Sequence, residues 1–158
     1  MQHPAIPMCP SAQHHLDGAE VFAVIGGSAE RPEVSYLEQS FPVTPEVVAM
    51  AAPVDPAEVF RFGAPCAMST ECWHFDDTRR KCRLAIRTVR IAPVVVSKPP
   101  RCAIRSRCMW WAQEGVSACL RCPQVVTNDS APSDSVVETA DPMNLAGAAE
   151  MPNLPLQA

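Results

Sequence analysis

Seven of the eight cysteines in this 158-residue chain fall between positions 66 and 122, and a segment so rich in thiols must either cross-link them or bind something with them. The compartment decides between the two. The N-terminus shows no basic leader followed by an apolar core, and no apolar run approaches the ~20 residues of a membrane span. A chain without an export signal is expected in the cytoplasm, where clustered cysteines serve as metal ligands rather than as a disulfide framework.

The spacing falls into two patterns. The first is Cys66-x5-Cys72-x-His74-x7-Cys82; the second is Cys102-x5-Cys108-x10-Cys119-x2-Cys122-Pro123. Superposing Cys66 on Cys102 also superposes Cys72 on Cys108 and brings Cys82 within one residue of Cys119, which suggests an internal repeat of residues 66–82 and 102–122. Four thiolates suit either a tetrahedral zinc or an iron–sulfur cluster. Structural zinc usually takes two close cysteine pairs, and here only Cys119 and Cys122 are close, which counts mildly against zinc, but spacing alone does not choose between zinc and an iron–sulfur cluster, 2Fe-2S or 4Fe-4S. Cys102, Cys108, Cys119 and Cys122 are the expected ligands of that centre.

The first pattern is open to more readings. Cys66, Cys72, His74 and Cys82 could form a separate three-cysteine, one-histidine site for zinc or for a cluster with one imidazole ligand. Alternatively His74 is an ordinary surface group, Cys82 belongs to the core, or both halves contribute to a single cluster. Cys9, His3, His14 and His15 lie in the N-terminal arm, and no role is expected of them.

Cys108-Met-Trp-Trp-Ala-Gln-Glu-Gly-Val-Ser-Ala-Cys119-Leu-Arg-Cys122-Pro123 resembles the C-terminal motif of bacterial ferric-siderophore reductases. That motif holds a two-iron cluster on a cysteine pair followed by ten residues and Cys-x2-Cys-Pro. The resemblance covers about sixteen residues. Met109 stands where the family has its second adjacent cysteine, so it implies Cys102 as the fourth ligand. It implies an iron–sulfur centre and does not carry siderophore reduction with it.

The net charge of −4 conceals a basic middle. Twelve Lys and Arg residues lie between Arg61 and Arg121 against only Glu71, Asp76, Asp77 and Glu114. Positive charge in such a place offsets thiolates and an anionic cluster. It also suits a protein redox partner docked on the basic region 79–107 or, less favoured, a nucleic acid. Trp110 and Trp111, set between cysteines, are expected to shield the centre from water; stacking on bases is the alternative.

The ends of the chain have a different composition. Residues 1–16 show no hydrophobic period, and 127–158 are rich in Ser, Pro, Ala and acid without an aromatic residue. Both are expected to be disordered, the second as an acidic tail, because they bury too little apolar surface to offset the entropy of ordering. Residues 17–126 are then one cysteine-rich metal-binding domain. Within it Val21–Ile25 and Val34–Leu37 read as a hairpin around Gly26–Glu33. Thr44-Pro45-Glu46 reads as a capped helix start, and Asp55-Pro56-Ala57-Glu58 as another, its helix ending near Phe62. Cys82, Ala85, Ile86 and Val89 mark one helix and Met109–Glu114 another, capped by Gly115. The expected fold class is α+β: a small metal-stabilised domain of short helices with a minor β-hairpin.

Phosphate loops, dinucleotide fingerprints, nucleophile elbows and zinc-histidine helix motifs have no match in the sequence. The expected function is therefore a non-catalytic iron–sulfur protein in electron transfer or a cluster-dependent accessory role. The alternatives are a zinc module, structural or nucleic-acid-binding, and a thiol oxidoreductase using Cys119 and Cys122, for which the usual βαβ context is missing.

Overall fold

The structure, a computed structural model, describes residues 6–145. Expectations for residues 1–5 and 146–158, His3 included, lie outside the described residues. The described chain is mixed α and β, with short helices as expected, but its sheet is larger than a minor hairpin. Four strands, β1 (Met8–Ala12), β2 (Glu20–Gly27), β3 (Pro32–Pro42) and β4 (Phe60–Pro65), form an antiparallel sheet in the order β1-β4-β2-β3.

The expected hairpin is β2–β3. Its turn rests on Gly27, whose φ of +74° and the approach of the Arg31 carbonyl to 2.5 Å from a would-be Cβ leave room for no side chain. Helix α1 (Pro45–Ala51) begins as the sequence indicates, with the Thr44 hydroxyl accepting from the Val47 N–H at 3.3 Å. The Asp55–Glu58 capping box also forms, but it closes only a single 3-10 turn.

Beyond that turn the chain departs from expectation. Residues 60–65 are strand β4, in the middle of the sheet, and not the end of a helix. Period-two alternation points Phe60, Phe62 and Ala64 into the core under α1, alongside Val21 and Val47. Arg61 and Gly63 face the other way. Gly63 leaves space there for Ile104, whose Cδ1 would lie 3.0 Å from a Cβ at that position. The segment that carries Cys102 is thereby pressed against the sheet.

Parts of both segments expected to be disordered, within the described residues, take part in the fold. Residues 8–12 of the arm expected to be disordered form β1, which alternates buried Met8, Pro10 and Ala12 with half-buried Cys9 and Ser11. Proline is tolerated because β1 is an edge strand. Residues 134–140 of the expected tail form α5 (Asp134–Ala140), capped by Ser133 and burying Val136 and Thr139.

The remaining elements cover the second face of the sheet. They are a small ribbon of β5 (Phe75–Asp76) and β6 (Lys81–Cys82), helix α2 (Arg83–Ile91), and the pair α3 (Met109–Glu114) and α4 (Val116–Cys119). Leu84, Ala85, Phe75, Met109, Trp110 and Ala118 form their common core. Arg87 of α2 is fully buried.

Candidate metal centres

The eight cysteines are reduced and fall into two groups of four. The first group is the one expected from the second sequence pattern. Cys102 sits in the loop before a 3-10 turn, Cys108 caps α3, Cys119 ends α4, and Cys122 opens another 3-10 turn before Pro123. All four line one cleft, with Tyr36 and Phe22 from the sheet and Trp110 from α3. The cleft is tight, with about 20 Å³ of free volume, room for roughly one water.

Arg61 reaches Cys122, on the wall of this cleft, from β4. It is completely buried, and its Nη1 donates to the Cys122 sulfur at 3.1 Å and to the Cys122 carbonyl at 2.5 Å. Nη2 donates to the Pro10 carbonyl at 3.1 Å, while Nε has no partner. Among the described residues no carboxylate pairs with it. Burial works against its charge, but negative charge at Cys122, Tyr36 and Cys102 outweighs that and holds its pKa above the ordinary value. A buried cation without a compensating anion is costly. The sulfurs supply that anion only when they are thiolates.

Three of the four thiols, Cys102, Cys108 and Cys119, resist ionisation. Burial pushes Cys108 up to about 12, with the neighbouring Cys122 and Cys102 adding to the shift. Burial also raises Cys102 and Cys119. A bound metal reverses this, because a coordinating thiol gives up its proton.

The second group differs from expectation in one member. Cys66, Cys72, His74 and Cys82 do share a cavity, and Cys9 joins them. Cys66 follows β4, its N–H donating to the carbonyl of Pro7, just before β1, at 2.8 Å. Cys72 lies in the following loop. Cys82 ends β6 and caps α2, its sulfur accepting from the Ala85 N–H at 3.4 Å. Cys9 reaches the same space from β1. Burial and the charges of Cys82, Cys66 and Cys72 raise its pKa far above the thiol range. The cavity holds about 260 Å³.

His74 is engaged elsewhere. Its Nδ1 lies 2.6 Å from Nη2 of the buried Arg87, whose Nε donates to the Thr139 carbonyl of α5 at 2.7 Å. Guanidinium can only donate, so Nδ1 accepts and the neutral ring carries its proton on Nε2. Burial and Arg87 together hold His74 down to about 4.

No group of three or more Cys, His, Asp or Glu among the described residues is gathered tightly enough to hold a single metal ion. The two quartets line cavities instead. Trp110, 1% exposed, belongs to the wall of both.

Much of the basic middle is consumed inside the fold. Arg61 and Arg87 are buried, Arg107 pairs with Glu20 at 2.9 Å, and Arg121 binds the Ala92 carbonyl at 2.7 Å. Arg79, Arg90, Lys98 and Arg101 remain exposed. Arg105 lies over the Trp111 ring, 5.5 Å from its centroid.

Neither family models, curated proteins nor solved structures give a match. The reading of the site therefore rests on its own residues.

Proposed function

We propose that the chain is an iron–sulfur protein in which Cys102, Cys108, Cys119 and Cys122 hold a cluster, and that it serves electron transfer or a cluster-dependent accessory role. The observation that carries this is Arg61, a fully buried cation hydrogen-bonded to a cysteine sulfur with no carboxylate to balance it. The donor set, four thiols on one apolar cleft, is that of a cluster, and because the cleft now has room for only about one water the loops carrying Cys102, Cys119 and Cys122 must move apart to take it.

The bound cluster would supply one-electron redox chemistry. The protein's own residues set its terms. Arg61 donates to Cys122 and places positive charge beside it, which favours the more negative, reduced form. Phe22, Ile104 and Trp110 keep water out, and Cys108 and Cys119 are held by the ends of α3 and α4. An acidic protein partner fits the exposed Lys98 and Arg101, close in sequence to Cys102. The short resemblance to ferric-siderophore reductases is consistent with the same assignment. Among the described residues, no helix is long and apolar enough to cross a membrane.

Purification without oxygen, with iron, acid-labile sulfide and the visible spectrum measured on the parent and on Cys119→Ser, tests the proposal. Stoichiometric iron with charge-transfer absorption, reduced or altered in the variant, is the expected result. A colourless protein with stoichiometric zinc would establish the zinc module in its place.

A further inference from the structure

We infer that a second iron–sulfur centre is held by Cys9, Cys66, Cys72 and Cys82, with Cys9 and not His74 completing the ligand set; the inference takes its class of cofactor from the function proposed above. Three observations carry it. The first is the company of Cys9. It shares a cavity of about 260 Å³ with the other three thiols. The second is the state of His74. With Nδ1 accepting from Arg87, the ring has no free lone pair to give a metal unless it loses its second proton. The third is Arg87, a fully buried guanidinium that donates to His74 in the wall of this cavity. Its Nη1 has no partner, and among the described residues no carboxylate forms an ion pair with it.

Strand β1 explains how a residue so distant in sequence comes to serve. Its side chains alternate between two faces, so Cys9 and Ser11 line the second cavity while Pro10 lines the first. Pairing with β4 fixes this register, Cys9 opposite Ala64 and therefore two residues from Cys66. The two centres then lie on either side of a shared wall made of β1 and Trp110.

Metal stoichiometry on the full chain tests the inference. The protein and its variants would be loaded anaerobically with ferrous iron and sulfide. Iron and sulfide per chain would be measured, with electron paramagnetic resonance spectra after dithionite reduction and circular dichroism as a check of folding. Cys9→Ser and Cys72→Ser are each expected to lower or alter the iron bound by about half the total and to change one of two signals. His74→Gln is expected to keep both. A chain with Cys102, Cys108, Cys119 and Cys122 all changed to Ser is expected to retain about half the iron. Full iron and both signals in Cys9→Ser, or loss of half the iron in His74→Gln, would overturn the ligand assignment. If Cys9→Ser does not fold, the fourfold variant decides: no iron on the folded chain removes the second centre and leaves the first standing. Iron that survives only at the second quartet, with Cys119→Ser indistinguishable from the parent, would sink the first centre and keep the second. A parent that takes up no iron defeats both.

Discussion

Nη1 of Arg61 lies 3.1 Å from the sulfur of Cys122, 61 positions away in the sequence, and the side chain that makes this contact is wholly shut off from solvent. A guanidinium cannot shed its proton to escape burial. The contact places a fixed positive charge beside that sulfur, and it joins an inner strand of the sheet to the last cysteine of the first quartet.

Replacing Arg61 by Met should lower the reduction potential of the first centre. One charge-assisted hydrogen bond is worth about 1.5 kcal/mol, or about 60 mV for a one-electron couple. Redox titration of parent and variant measures it. An unchanged potential would mean that the guanidinium does not act on a cluster at Cys122.

Glu20 and Arg107 form the second tether of the cysteine loop, at 2.9 Å, with Ser40 also donating to Glu20 at 2.7 Å. The Arg107 and Ser40 hydrogen bonds hold the Glu20 carboxyl below its ordinary value. Its contribution to stability is then present above the unfolded carboxyl pKa of 4.5 and lost as pH falls through the lowered folded value. The pair is partly exposed, so Glu20→Gln should cost about 0.5–1 kcal/mol at neutral pH and close to nothing in acid. Urea titrations of parent and variant at the two pH values, giving equal differences, would refute the assignment.

Ending the chain after Pro132 removes the Thr139 carbonyl that accepts from Arg87 at 2.7 Å. The buried guanidinium then has an unsatisfied donor, worth about 1–3 kcal/mol, in addition to the apolar contacts of Val136. The midpoint of chemical denaturation should fall accordingly. A truncated chain as stable as the parent would show that α5 is dispensable to the fold.

Trp110 lies in the walls of both cavities. Trp110→Phe should keep the fold and alter the spectra of both centres together, whereas Trp110→Ala should cost about 3–5 kcal/mol. Perturbation of one signal alone in Trp110→Phe would place the indole against a single centre.

Local chemistry is readable where it is decided by neighbours in sequence. Thr44 with Pro45, the glycines of the β2–β3 turn and the stripe of Cys82, Ala85 and Ile86 each announce their element. The Asp55–Glu58 box is the cap its residues spell out, yet its helix stops after one turn because Phe60 and Phe62 are needed in the sheet. Both faces of β4 are buried, so its arginine hides the strand pattern: Arg61 looks like a solvent residue until Cys122 is placed beside it. The grouping of Cys102, Cys108, Cys119 and Cys122 is legible because their spacing is short. Cys9 is not, since its place is set by strand pairing with β4 across more than fifty residues. Pro7 and Pro10, together with the lack of a hydrophobic period, make its segment look unstructured. His74 next to Cys72 reads as a donor to metal, and only the buried Arg87, thirteen residues on, shows where its lone pair goes.

The alternation of β1 makes reading frame in the strand equivalent to an address. Insert or delete one residue between Met8 and Cys9, keep the pairing of the rest, and every side chain upstream of the change turns to the opposite face. A shift of the whole strand by one position would send the cysteine toward the cleft of the other quartet and proline into the place it left. The side to which Cys9 turns thus decides which of two sulfur-lined spaces this strand completes.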